Sequence, residues 1–164
     1  MRGQIDWTCR RSSATLDRMG ELCQPANKKV LVSGCFDLLH AGHVRFFETA
    51  AAYGDLYVCL GADATIAQLK GRPPQFSQEE RRYIVGALSA VFEARISRGS
   101  GYLDFAPEME ALRPDVFVVN EDGDRPEKRE LAETLGVRYV VLPRTPREGL
   151  PERSSTSIKE AARR

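Results

Sequence analysis

Both histidines of the chain, His40 and His43, fall in one ten-residue stretch, Gly34-Cys35-Phe36-Asp37-Leu38-Leu39-His40-Ala41-Gly42-His43. Two imidazoles three residues apart share one face where a segment opens a helix, and Gly34 and Gly42 let backbone come close to a ligand. Backbone N–H groups at a helix start, joined by two imidazole donors, suit an anion whose charge grows in a transition state, a phosphoryl group above all. Two other readings stand beside this one. The histidines can simply cap a turn, or with Cys35 they can supply three ligands of a zinc site whose fourth is not in view.

Something must hold that stretch, and the flanking pattern says what. Val30-Leu31-Val32 is a short continuous apolar run closed by Ser33-Gly34, the pattern of a strand buried on both faces. After the second histidine, Val44, Phe47, Ala50 and Ala51 recur at helical spacing up to Gly54, and Leu56 to Gly61 is again a strand. A strand, helix, strand unit of this length implies parallel pairing with a right-handed crossover. The pattern then repeats. A helix is expected over 62–69, a loop over 70–74, a helix over 77–89 opened by the Ser77-Gln78-Glu79-Glu80 capping box, and a strand over 91–97. Beyond it come a helix over 103–112, a strand over 116–119, a helix capped by Asp124 with Pro126 in its first turn, a strand over 137–142 and a last helix over 157–163. Alternation of this kind is α/β: a Rossmann-like, doubly wound, five-stranded parallel sheet. Ligands bind such sheets beyond the carboxyl ends of the strands, which puts Gly34 to His43, Gly61 to Asp63, Asn120 to Asp124 and Pro143 to Ser157 on one rim.

Several residues on or near that rim can serve a phosphate, and each has an ordinary structural role as its alternative. Lys70 and Arg72 stand in a Gly/Pro loop; Arg81 lies in the second turn of its helix and can pair with a helix carboxylate; Ser154 to Ser157 can offer hydroxyls or merely cap the last helix. Glu121, Asp122 and Asp124 look like metal ligands, yet they read better as a solvated turn and a cap, and Asp63 reads best as a cap too.

The 24 basic residues offset 23 acidic ones, so no global field recruits nucleic acid or an anionic membrane, and an anionic ligand has to be held locally. Cys9, Cys23, Cys35 and Cys59 show no Cys-x-x-Cys spacing, which fits a reducing compartment, and no apolar run is long enough to span a bilayer. A cytoplasmic location is expected. Residues 1–28 are polar, with a weak periodic set at Leu16, Met19 and Leu22 and one large anchor, Trp7; they read as an arm, helical or flexible, ahead of a domain over 29–164.

The Gly34 to His43 stretch resembles the signature of the cytidylyltransferase-like nucleotidyltransferases, and the likeness extends over residues 29–159. Leu69-Lys70-Gly71-Arg72-Pro73, Glu80-Arg81 and Gly86 to Val91 resemble the branch that adenylylates heptose 1-phosphate. Asp115 to Val119, Tyr139 to Thr145 and Ser154 to Lys159 look like the branch that cytidylylates glycerol 3-phosphate. Asn120-Glu121-Asp122-Gly123-Asp124 replaces the Lys-Gly-Gly-Asp-Tyr of the heptose branch, and the extra residues 146–152 leave two candidates, Arg144 and Arg153, for the family's triphosphate arginine, of which Arg153 is preferred.

The resemblance implies a nucleotidyltransferase in which an acceptor phosphate attacks the α-phosphorus, pyrophosphate leaves, and Mg²⁺ accompanies the triphosphate. It assigns His40, His43 and Lys70 to catalysis. Gly34, Cys35, Phe36, Asp37, Gly42, Arg153, Ser155 and Thr156 would bind nucleotide, and Arg81 would position a loop or the acceptor. CTP is the expected nucleotide and a small phosphorylated alcohol, sugar or polyol, or a phosphonate, the acceptor. ATP-dependent adenylyl transfer and a nucleotide-binding module without turnover are the alternatives. A homodimer is expected from the resemblance alone.

Overall fold

A computed structural model describes residues 28–146 and 148–161, so the arm expected over 1–28 lies outside the described residues except for Lys28. Five strands, β1 Lys29–Gly34, β2 Asp55–Leu60, β3 Glu93–Ile96, β4 Val116–Asn120 and β5 Arg138–Leu142, form one parallel sheet in the order β3-β2-β1-β4-β5. The register runs Val30 beside Leu56 on one side of β1 and Val30 beside Val116 on the other. β1 is therefore the central strand, flanked by strands whose connections run in opposite directions, and its carboxyl end is the switch point of the sheet.

Side chains alternate across the sheet, and each face carries its own apolar layer. On one face Val30, Val32, Leu56 and Val58 pack with Phe46, Phe47 and Ala50 of α1 (Ala41–Ala51) and Val85 of α3 (Gln78–Gly86). On the other, Leu31, Tyr57, Cys59 and Phe117 pack with Phe105, Met109 and Leu112 around α4 (Ala106–Leu112) and Ala132 of α5 (Pro126–Thr134). Burying a side chain such as Phe47, fully enclosed here, stabilises by about 2–3 kcal/mol. Between β2 and α3 lies α2 (Asp63–Lys70), stopped by Gly71 in the left-handed region at φ 67°. The chain ends in α6 (Ser155–Ala161). No helix among the described residues is long and apolar enough to cross a membrane.

The element count agrees with the sequence pattern; several boundaries do not, among them β3, which begins at Glu93 rather than at residue 91. The capping box is present, but α3 stops at Gly86 rather than at residue 89, because Leu88 and Val91 turn inward to close the corner into β3. The helix expected over 103–112 is a 3-10 turn at Gly101–Leu103 followed by α4. Asp124 is not the cap of α5: Arg125 holds that position with no side-chain bond, and Asp124 pairs with Arg129 and accepts from the Tyr139 hydroxyl at 3.0 Å. The last helix begins at Ser155, two residues early, with Ser154 Oγ accepting from the Ser157 amide at 3.0 Å.

Candidate active site

His40 is the N-cap of α1, and its Nδ1 accepts from the Gly42 amide at 3.2 Å. A Cβ on Gly42 would stand 3.0 Å from the His40 ring, so this cap needs glycine two residues on. One helical turn brings His43 under His40, with ring centroids 3.9 Å apart and planes 24° from parallel. From below, Phe36 presents its ring to His43 edge-on at 5.3 Å. Phe36 reaches that place with φ 46°, a left-handed conformation rare for an aromatic residue, and its ring lies 2.9 Å from where a Gly34 Cβ would be. Gly34 and Phe36 are thus a matched pair: the first leaves the space the second folds into.

Both imidazoles are weak bases. Burial, and then the nearby Arg144, lowers His40; burial, His40 and Arg144 push His43 down to about 3. His43 Nδ1 is buried without a hydrogen bond of good geometry, although the Leu38 carbonyl is near enough to raise the ring's basicity a little. Two neutral rings with N–H groups to donate, beside a guanidinium, make a site short of negative charge.

These side chains line a cleft of about 540 Å³, a size typical of small-molecule sites. Its far wall is the segment after β5 and the start of α6: Arg144, Arg153, Ser155 and Thr156. Arg144 is fastened by its amide to Glu121 Oε1 at 3.0 Å and by Nη2 to the Arg153 carbonyl at 2.8 Å, with Asp122 and Glu152 at 3.6 and 3.8 Å from its guanidinium. Arg144 is therefore the better-anchored of the two candidate arginines, while Arg153 is exposed at the mouth. Ser155 Oγ reaches back to the Leu38 carbonyl over a long 3.5 Å, so α6 touches the histidine turn.

The cleft gathers His40, Gly42, His43, Arg153, Ser155 and Thr156 and leaves the other expected residues outside it. Lys70 is exposed at the end of α2, close enough for its charge to be felt at His43. Phe36 lies behind His43, while Gly34 ends β1 and Cys35 follows it, both outside the cleft. Asp37 faces away from the cleft: it is buried, and its Oδ1 accepts from the amide of Gln75 at 2.6 Å and that of Phe76 at 3.4 Å, tying the turn to the loop before α3. Arg81 cannot meet an acceptor. It is 1 % exposed, and its guanidinium donates to the carbonyls of Phe76, Cys35 and Gly61 at 3.2, 2.6 and 2.8 Å and to Asp63 Oδ1 at 2.7 Å. Asp63 in turn accepts from the Gln78 amide at 3.1 Å, so it caps α3 and not its own helix.

Among the described residues no three His, Cys, Asp or Glu side chains gather to hold a metal. Cys35 lies outside the cleft, and the zinc alternative loses its third ligand there. Asp122 and Glu152 line the cleft singly, which suits an ion that keeps its waters and rides on phosphates, the habit of Mg²⁺.

The chain is similar in sequence to known proteins. The family model of cytidylyltransferase-like proteins matches residues 31–161. The bifunctional protein HldE of Geobacter sulfurreducens is 40% identical over 117 residues, covering 69% of this chain and 23% of that protein, so the chain spans about a quarter of such relatives. The FAD synthase of Methanopyrus kandleri is 38% identical over 120 residues, 70% of this chain and 77% of the relative. Among solved structures, a lipopolysaccharide core biosynthesis protein from Thermoplasma volcanium superposes with a TM-score of 0.61 at 22% identity, over 74% of this chain and 99% of that one. A pantoate-β-alanine ligase from Francisella tularensis superposes with a TM-score of 0.56 at 16% identity, over 84% and 69%. At those identities the two structures speak to the fold alone.

Proposed function

Because this chain belongs to the cytidylyltransferase-like family, we propose that it is a nucleotidyltransferase that moves AMP from ATP to a small phosphorylated acceptor and releases pyrophosphate. The observation that carries the reading is the cleft: stacked His40 and His43 at a helix start, facing Arg144, Arg153, Ser155 and Thr156, form one donor-rich recess. The expectation of CTP rested on the likeness of Asp115 to Val119, Tyr139 to Thr145 and Ser154 to Lys159 to the glycerol-3-phosphate branch. The chain spans most of a relative named for making FAD, an adenine dinucleotide, and that supports adenylyl transfer over cytidylyl transfer.

In this reaction a phosphate oxygen of the acceptor bonds to the α-phosphorus while the bond from that phosphorus to the β-bridging oxygen breaks. The electron pair leaves with pyrophosphate. His40 and His43 donate to oxygens around the α-phosphorus, where charge builds as the bonds exchange. Arg144 and Arg153, with the Ser155 and Thr156 hydroxyls, hold the departing phosphates, and Lys70 approaches from the rim. Mg²⁺, when bound, would neutralise charge on the β- and γ-phosphates, with Asp122 the cleft carboxylate to hold its water shell. The homodimer belongs to the same proposal and is read by sedimentation.

The test is pyrophosphate release from ATP and from CTP over a panel of phosphorylated sugars and polyols, phosphonates and FMN. Turnover with ATP and one acceptor class is expected. Turnover only with CTP would restore the cytidylyl reading, and tight ATP binding without release across the panel would make the chain a binding module.

A further inference from the structure

β3 is one edge of the sheet, and its two faces are covered unequally. On the α1–α3 side Val91 and Ala94 pack into the apolar layer. On the α4–α5 side that layer ends at Tyr57 and Cys59 of β2, and among the described residues no side chain of β3 joins it. Glu93 and Arg95, level with Tyr57 and Cys59 in the register, point to that side instead. They pair with each other, Arg95 Nη2 donating to Glu93 Oε2 at 2.8 Å, and both stay partly exposed. Tyr57 is roofed by the Phe92 ring, 5.2 Å away between centroids, and by the Arg95 guanidinium at 5.4 Å. Phe92 itself is 61% exposed. A parallel sheet is ordinarily covered on both faces, so this margin is short of a helix.

The chain carries a segment of matching need. Leu16, Met19 and Leu22 recur at helical spacing ahead of the described residues. A helix of three turns is marginal alone in water and gains its stability from a face to pack on. The segment also joins the structure beside this margin. The Asp55 amide donates to the Lys28 carbonyl and the Phe92 amide to the Leu56 carbonyl, each at 2.8 Å, so Lys28 and Phe92 stand at the same end of the sheet. Only β2 lies between them, which at the spacing of strands is about 10 Å. The six residues from Leu22 to Lys28 can span about 20 Å, enough to cross under β2.

We propose that residues 13–23 dock on this margin of their own chain as an added helix, laying Leu16, Met19 and Leu22 over Phe92 and beside the Glu93–Arg95 pair. The apolar layer on the α4 side then extends to the edge of the sheet. An arm so placed also keeps a second copy of the chain off this face, so that copies meet elsewhere.

Hydrogen exchange of the full chain, read by mass spectrometry with sedimentation recorded on the same samples, tests the docking. The amides of 13–23 are expected to exchange at least about tenfold more slowly than those of an unstructured peptide. Phe92→Ser, a change at an exposed position, is expected to abolish that protection while β1 and β4 stay as protected as in the wild type and the sedimentation coefficient holds. Met19→Ser is expected to do the same from the side of the arm. Exchange of 13–23 at the unstructured rate in the wild type, or protection indifferent to either substitution, overturns the docking. Protection lost together with a fall to a smaller sedimenting species gives this face to a second copy, and overturns it too.

Discussion

His43 joins more of the local physics than any other single residue. It stacks on His40, rests on the edge of Phe36, and is kept neutral by burial and by Arg144. Its folded-state basicity, down to about 3, lies below that of an exposed histidine near 6.5. The stability it permits is therefore whole above pH 6.5 and lost as the pH falls from there towards 3, at a slope of up to about 1.4 kcal/mol per pH unit. His43→Asn should flatten that slope in urea denaturation followed from pH 7 to 4, and should lower turnover by about a hundredfold or more with nucleotide affinity nearly kept. A variant with the wild-type acid slope and normal turnover would deny His43 both roles. The histidine pair was legible in the sequence because the residue type occurs nowhere else. Arg144 was not preferred there, because its anchorage depends on Glu121 and the Arg153 carbonyl, which only the fold brings near.

Arg81 shows how the elements are tied together. One guanidinium joins the end of β1 at Cys35, the end of β2 at Gly61, the start of α2 at Asp63 and the loop before α3 at Phe76. Its side chain is fully buried and that of Asp63 is 39% exposed, so removing the arginine strands carbonyls more than it strands a charge. Arg81→Met should destabilise by about 3–5 kcal/mol in urea denaturation, and Arg81→Lys by less, since a single ammonium cannot replace a fork of donors. Near-native stability in Arg81→Met would mean the four contacts are idle. The sequence pattern located β1, β2, β4 and β5 as short apolar runs, held β3 (Glu93–Ile96), half of it charged, within a wider expected strand, and placed the capping box of α3. It missed helix ends where tertiary partners override local signals: Asp124 is drawn off its cap by Arg129 and Tyr139, and the closing turn at Leu88 cuts α3 short.

At the scale of the whole molecule, the cleft is built from two walls that only the sheet unites, α1 on one side and the segment from Leu142 to Thr156 on the other. The order of strands was not legible in the sequence, because each β-α-β crossover can land on either side of its neighbours. Since the cleft exists only in the folded chain, its ligand must stabilise the fold: ATP at a hundred times its Kd should add about 2.7 kcal/mol and raise the melting temperature by several degrees. An unchanged melting temperature at saturating ATP would mean that the cleft does not take it. β1 also has a temporal peculiarity. Its partner on one side, β2, follows within about twenty residues, but the Lys29 amide waits for Asp115, 86 residues later, and Leu31 waits for Phe117. During synthesis the ribosome therefore exposes Val30-Leu31-Val32 with one edge unpaired until β4 emerges, and an unpaired apolar edge is the feature that recruits neighbouring chains. The strand that ends at the histidine turn in the folded chain is, in the nascent chain, one that gains from a chaperone's cover.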